Sequence, residues 1–175
     1  MSTPPTPSTP PTPSTPPTPS ALPSPVESFT SPHKVDYTFV AGTGRSAFLR
    51  GLQERRLLAR RCPTCERVYL PAPEFCSRCL AELSEPFELA GTGVVKTFCV
   101  VNFPFPGQMI DPPYLVAYIQ VDGADTTLMH LVRDVEPADV HIGLRVEPVW
   151  CAEEDLDTSM NSIRYYRPVA GGSDA

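Results

Sequence analysis

The sequence predicts a mainly β protein in which a proline-rich tail and a short helix lead into a four-cysteine ribbon and then a small five-stranded barrel. Three observations carry that prediction. Two Cys-x-x-Cys pairs stand ten residues apart, five runs of strand-forming residues follow Gly91-Thr92-Gly93 with turn chemistry between them, and proline crowds one end of the chain.

Of the 175 residues 23 are proline, and residues 1–32 hold twelve of these with a single charged residue, Glu27. The hexad Ser-Thr-Pro-Pro-Thr-Pro runs three times from Ser2 to Pro19. Proline at every second or third position removes amide donors and favours extended polyproline geometry, so residues 1–32 read as a disordered, solvated tail. What remains can form one compact domain or two very small ones and is too short for a barrel enzyme of ~250 residues. No stretch approaches the ~18 apolar residues of a membrane span, and the N-terminus lacks the basic start and apolar run of an export signal. The expectation is a cytoplasmic chain with no membrane partner.

Residues 33–59 read as a linker and an N-terminal helix. Between Ser46 and about Arg55, Phe48, Leu49 and Leu52 recur at steps of three and four, with Ser46 placed as an N-cap and Gly51 weakening the helix. Leu57-Leu58-Ala59 and Arg67-Val68-Tyr69-Leu70 then suggest two short strands around a knuckle.

Residues 60–85 carry the sharpest chemistry. Cys62-Pro63-Thr64-Cys65 and Cys76-Ser77-Arg78-Cys79 are two knuckles able to set four thiolates at the corners of a tetrahedron. Six cysteines without an export signal point to reduced thiols rather than a disulfide framework. Zinc suits this set, because soft thiolates match an ion with no geometric preference of its own, and four cysteines leave no open position for substrate. The site therefore reads as structural zinc held by Cys62, Cys65, Cys76 and Cys79, while iron in a rubredoxin-like centre is chemically allowed. Arg60, Arg61, Arg67 and Arg78 flank it and partly offset the net charge of a four-thiolate centre. Cys99 and Cys151 lie in apolar strand contexts and read as buried small hydrophobes, and His130 reads as a hydrogen-bonded residue on a sheet face.

Residues 86–170 supply the barrel. Strand formers run over Val94–Val101, Tyr114–Val121, Thr126–Val132, Leu144–Trp150 and Ile163–Val169, separated by Pro104/Pro106/Gly107, Pro112-Pro113, Asp122-Gly123 and two longer loops. Five short strands with no long helix between them suggest an antiparallel barrel of the OB type, followed by a C-terminal tail at 171–175. The loop from Asn102 to Pro113, with Phe103, Phe105, Met109 and Ile110, is more apolar than a solvent loop and reads as a partner or ligand surface. No nucleophile elbow, phosphate loop or second metal cluster is present, so the chain reads as not catalytic by itself. Net charge is −6, with seven arginines between residues 45 and 67 on an otherwise acidic body. That balance argues against tracking nucleic-acid phosphates, and a nucleic-acid-binding ribbon-plus-OB module is kept as the alternative reading.

Leu52-Gln53-Glu54, Leu57-Leu58, Arg61-Cys62-Pro63-Thr64-Cys65, Pro71, Cys76-Ser77-Arg78-Cys79, Gly91-Thr92-Gly93, Pro113-Tyr114-Leu115-Val116-Ala117, Asp122-Gly123 and Ile142-Gly143 follow one another in an order that resembles the DUF35 family. The resemblance covers roughly residues 45 to 169. It departs from the family at Pro71-Ala72-Pro73, where a Pro-Pro-Arg step is common, and before Gly91, where a tryptophan often stands. It implies a rubredoxin-like zinc ribbon followed by an OB barrel, acting as an accessory subunit in a hetero-oligomer. The implied partner is a thiolase or a lipid-transfer-protein-type aldolase working on acyl-CoA thioesters, as in steroid side-chain or aromatic-acid degradation. Acyl-CoA would then be a ligand shared with that partner, with Arg50, Arg56, Phe103, Phe105 and Tyr114 as the contact residues.

Overall fold

The computed structural model describes residues 38–170; the expected tails at 1–32 and 171–175, and His33, lie outside the described residues. The elements are a helix α1 (Gly42–Gln53) and strands β1 (Leu57–Arg61), β2 (Val68–Tyr69), β3 (Phe87–Leu89), β4 (Gly93–Val101), β5 (Tyr114–Val121), β6 (Leu128–Val132), β7 (Arg145–Trp150) and β8 (Ile163–Pro168). They form a three-stranded sheet in the order β2-β1-β3 and a closed five-stranded barrel in the order β4-β5-β6-β8-β7.

Helix α1 buries Gly44, Phe48, Gly51 and Leu52, which recur on one face at helical spacing. The two glycines set how near that face comes to the ribbon. A Cβ at Gly44 would lie 2.6 Å from the Pro73 carbonyl oxygen, and one at Gly51 would lie 2.8 Å from Leu58 Cγ. The helix begins four residues before Ser46, so Ser46 is not its cap. Its hydroxyl donates back to the Gly42 carbonyl inside the first turn, and the cap position is Ala41. The early start is held from outside, where Thr43 Oγ1 donates to Glu74 Oε1 of the ribbon at 2.9 Å. The helix ends in a Schellman turn: Arg55 takes φ +57°, its N–H donates to Leu52 O at 3.0 Å, and Arg56 N–H donates to Gly51 O at 2.8 Å.

In the ribbon sheet β1 is central, pairing Arg60 with Tyr69 on one side and Leu57 with Leu89 on the other. The pattern of residues 86–90 had suggested no strand. Three residues are too few to display a period of two, and β3 exists because β1 offers it an edge.

The barrel is built on strict alternation. Leu115, Ala117, Ile119 and Val121 of β5 point inward beside Val95, Leu128, Val132, Val146, Ile163 and Tyr166. β4 and β5 run in register from Val101 opposite Tyr114 to Gly93 opposite Val121, with a bulge at Lys96. Gly93 is required there, since a Cβ would overlap the Gln120 carbonyl oxygen. The Gly91-Thr92-Gly93 corner is pinned to the turn after β5: Thr92 Oγ1 donates to Asp122 Oδ2 at 2.7 Å, and Arg145 grips both Asp122 oxygens at 2.7 and 2.6 Å.

Strand β6 starts at Leu128 rather than Thr126, because Thr126 and the residue before it, Asp125, are engaged with the ribbon. Val68 N–H donates to Asp125 Oδ2 at 2.8 Å, while Asp125 N–H donates to Val68 O at 2.9 Å. One step on, Leu70 N–H donates to Thr126 Oγ1 at 2.8 Å and the Thr126 hydroxyl donates to Leu70 O at 3.0 Å. The β5–β6 turn thus satisfies the free edge of the ribbon and joins it to the barrel.

Candidate metal centre and partner surface

Both cysteine knuckles are built alike. In the first, Cys62 N–H donates to Arg67 O and Glu66 N–H donates to Cys62 O; in the second, Cys76 N–H donates to Ala81 O and Leu80 N–H donates to Cys76 O. Glu66 and Leu80 each take a positive φ, 61° and 57°, at the corresponding position. Each turn lifts its two thiols to one side of the backbone, and the chain carries the knuckles face to face.

The four sulfurs of Cys62, Cys65, Cys76 and Cys79 lie within 4.8 Å of one another. A tetrahedral site with Zn–S bonds near 2.3 Å has sulfur–sulfur edges of ~3.8 Å. Cys65 Sγ and Cys76 Sγ are 3.8 Å apart. Cys62 and Cys76 are fully buried and Cys65 and Cys79 half-buried, so the thiols enclose a closed site. The donor set and its spacing fit a four-thiolate metal site.

Hydrogen bonds prepare one sulfur for negative charge. The Tyr69 hydroxyl, 3.2 Å from Cys76 Sγ and 3.0 Å from Ser77 Oγ, stands above it, and the N–H groups of Cys79 and Arg78 point at it from 3.3 and 3.4 Å. Led by Tyr69, these donors pull the Cys76 thiol down to about 6. Cys79 is driven the other way, to about 12, by its hydrogen bond with Cys65 and by burial. Four crowded thiols cannot all ionise unaided, and a dication supplies the missing positive charge.

The flanking arginines divide into two roles. Arg60 is buried and donates to the carbonyls of Ser84 and, at 2.8 Å, Leu83, closing the ribbon from beneath. Arg61, Arg67 and Arg78 line a polar groove beside Cys65, two of them stacked on Phe87 and Tyr69. Among the expected contact residues, Arg50 is exposed on the last turn of α1. Arg56 is held by Glu88 at 2.8 Å and Glu54 at 3.2 Å. Phe103 and Phe105 are exposed on the β4–β5 loop, and Tyr114 is half-buried where that loop enters β5.

Two cysteine expectations are corrected. Cys99 is exposed, because the bulge at Lys96 turns Thr97, Cys99 and Val101 outward. Cys151 is half-buried, with its thiol donating to Asn161 O at 3.0 Å. His130 is hydrogen-bonded: Nδ1 accepts from Leu131 N–H at 2.9 Å and Nε2 lies 3.3 Å from Met160 O. Sequence reasoning missed Tyr69, whose partners are brought to it by the second knuckle, and Asp125 and Thr126, whose partners become visible only once the ribbon docks on the barrel. A cavity of about 570 Å³ also lies between α1, the Pro71–Pro73 segment and Met160. It is lined by Phe39, Phe48 and Leu49, with Arg45 as the charged residue in its lining.

Family models match both modules: the rubredoxin-like zinc ribbon domain of ChsH2 over residues 50–84, and the C-terminal OB-fold domain of ChsH2 over residues 87–151. A protein of Methanocaldococcus jannaschii described as a DUF35 domain-containing scaffold protein is 32% identical over 124 residues, 69% of this chain and 87% of that one. The chain belongs to the DUF35 family. This DUF35 chain is also 30% identical over 112 residues to a probable enoyl-CoA hydratase alpha subunit of Thermomonospora curvata, spanning 64% of itself and 34% of that longer protein. A solved structure described as the Ltp2-ChsH2(DUF35) aldolase superposes with a TM-score of 0.55 at 24% identity, covering 71% of this chain and 94% of that one, a likeness of fold. Among the described residues of the DUF35 chain, no helix is long and apolar enough to cross a membrane.

Proposed function

We propose that the chain is a non-catalytic subunit that binds and stabilises a thiolase-superfamily enzyme, a thiolase or an aldolase, acting on acyl-CoA thioesters in the cytoplasm. The observation that carries this reading is a family membership shared with a protein described as a scaffold, on a fold whose β4–β5 loop exposes Phe103, Phe105 and Met109. Large apolar side chains held in water at the end of a barrel mark a surface that a partner covers.

Zinc is the metal proposed for the four thiolates of Cys62, Cys65, Cys76 and Cys79, where it supplies charge balance and a fixed cross-link between the two knuckles. Closed on four sides, the centre has no position for substrate or water. The chain's own residues hold the geometry: the two knuckle turns aim the sulfurs, Tyr69 donates to Cys76, and Arg60 ties β1 to the Leu83-Ser84 segment. The cavity beside α1 has the size and apolar lining of a small-ligand site, which supports an acyl-CoA shared with the partner.

The test is affinity purification of the full chain from its native cell after nuclease treatment, with co-purifying proteins identified by mass spectrometry. A near-stoichiometric thiolase-superfamily protein, inactive or insoluble when made alone and rescued by this chain, is the expected result. Recovery of nucleic-acid-bound proteins alone, lost with nuclease, would move the chain to the ribbon-plus-OB nucleic-acid class instead.

A further inference from the structure

The outer face of the barrel across β4, β5 and β6 has an unusual composition. The register aligns Thr97 with Tyr118 and Tyr118 with Met129, then Cys99 with Val116 and Val116 with Leu131, and finally Val101 with Tyr114. Their neighbours Phe98, Ala117, Ile119, Leu128 and Val132 belong to the core or pack against it, so these eight alternate to the outside. Tyr118 and Met129 are 47% and 58% exposed, and Thr97 and Cys99 are also open to solvent.

None of the eight carries a charge, although 19% of the chain is charged and its net charge is −6. A solvent-facing surface averages ~25–35% charged residues, so eight outward positions ordinarily hold two or three. Val101 and Tyr114 are also where the apolar loop leaves and rejoins the sheet, so Phe103, Phe105 and Met109 extend the same surface. Tyr118, Met129, Phe103, Phe105 and Met109, each 47% exposed or more, thus form one continuous apolar surface. Tyrosine, phenylalanine and methionine without lysine or glutamate is the composition of an interface centre.

We infer that this face, rows Thr97-Tyr118-Met129 and Cys99-Val116-Leu131 with the β4–β5 loop, is the docking surface for the thiolase-superfamily subunit. The inference rests on the proposed function. The occupant is a folded protein surface that is itself uncharged and flat enough to lie along three strands. A highly charged surface does not fit, because the eight outward positions offer it no counter-charge.

Cys99, exposed at the β4 end of the middle row, reports on the covering of the face. The full chain and the purified complex with its thiolase-superfamily subunit are treated with N-ethylmaleimide, and labelling of the Cys99 peptide is followed by mass spectrometry. Labelling of the isolated chain should be fast and should slow by about tenfold or more in the complex. A complex in which Cys99 labels at the free-chain rate overturns the surface assignment and leaves the subunit reading standing. Failure of any thiolase-superfamily protein to associate removes both. Protection that appears in the isolated chain as its concentration rises assigns the face to a second copy and also overturns the proposal. As a second readout, joint replacement Tyr118→Glu and Met129→Lys puts a complementary charge pair on two solvent-exposed side chains that face each other across β5 and β6. The melting temperature should hold while co-purification of the subunit is lost, and an intact complex from this variant counts against the assignment.

Discussion

Tyr166 lies at the centre of the barrel, fully buried, and its hydroxyl meets no hydrogen-bonding group of the protein among the described residues. Burial alone pushes that phenol well above its ordinary range. Removing an unpaired polar atom from a core forfeits no bond, so Tyr166→Phe should leave stability unchanged or raise it by ~1 kcal/mol, as read from urea unfolding. Beside it, burial holds the imidazole of His130 below its usual range. A histidine depressed in the folded state binds its proton more readily when unfolded. Its contribution is therefore complete above about pH 6.5 and is lost as pH falls through the folded value. Unfolding free energy should hold above about pH 6.5 and decline as pH falls below it in the native protein, and less steeply in His130→Gln. At the metal centre, Cys62→Ser should release zinc and lower the melting temperature, because metal-binding energy is folding energy in so small a unit. Unchanged zinc content and melting temperature in that variant would remove the proposed ligand set. The four cysteines were legible because their spacing is itself the signal. Tyr69 was not, since nothing local to Val68-Tyr69-Leu70 announces a sulfur seven residues further on.

At the scale of elements, the barrel strands were read almost to the residue. β5 runs over Tyr114–Val121 as expected, and β4, β7 and β8 begin or end one residue away. One-sided burial imposes alternation, and alternation survives in sequence. What failed did so through tertiary partners: β3 borrows its existence from β1, and α1 gains its first turn from Glu74. The glycines of these elements are spacers between backbones. Gly93→Ala would force a Cβ into the Gln120 carbonyl, where only backbone can yield, and should cost ~2 kcal/mol or more by chemical denaturation. Gly44→Ala meets the Pro73 carbonyl in the same way and should loosen α1 from the ribbon, seen as faster amide exchange across Gly42–Gln53 with the barrel unaffected.

Across the whole molecule, Leu57, Val68 and Leu70 of the ribbon share one hydrophobic core with Val95 and Ile163 of the barrel, and the β5–β6 turn adds four hydrogen bonds between the two. Asp125→Ala with Thr126→Val removes the side-chain partners of Val68 N–H and Leu70 N–H and strands two donors at a sheet edge. Zinc release to a chelator should accelerate in this variant, while fluorescence of Trp150, the single tryptophan and a barrel residue, should report an unchanged transition. Simultaneous loss of both signals would mean that the two modules unfold as one cooperative unit.

The segment from Tyr114 to Val132 serves two masters. Its turn grips the ribbon that the thiolates organise, and its strands present the uncharged face. An apo chain would display that face on a hairpin whose turn has lost its anchor, and on the proposed function metal binding should precede partner binding. A cell starved of zinc should therefore lose the assembled complex before it loses the barrel, and the metal would act as a quality check on assembly.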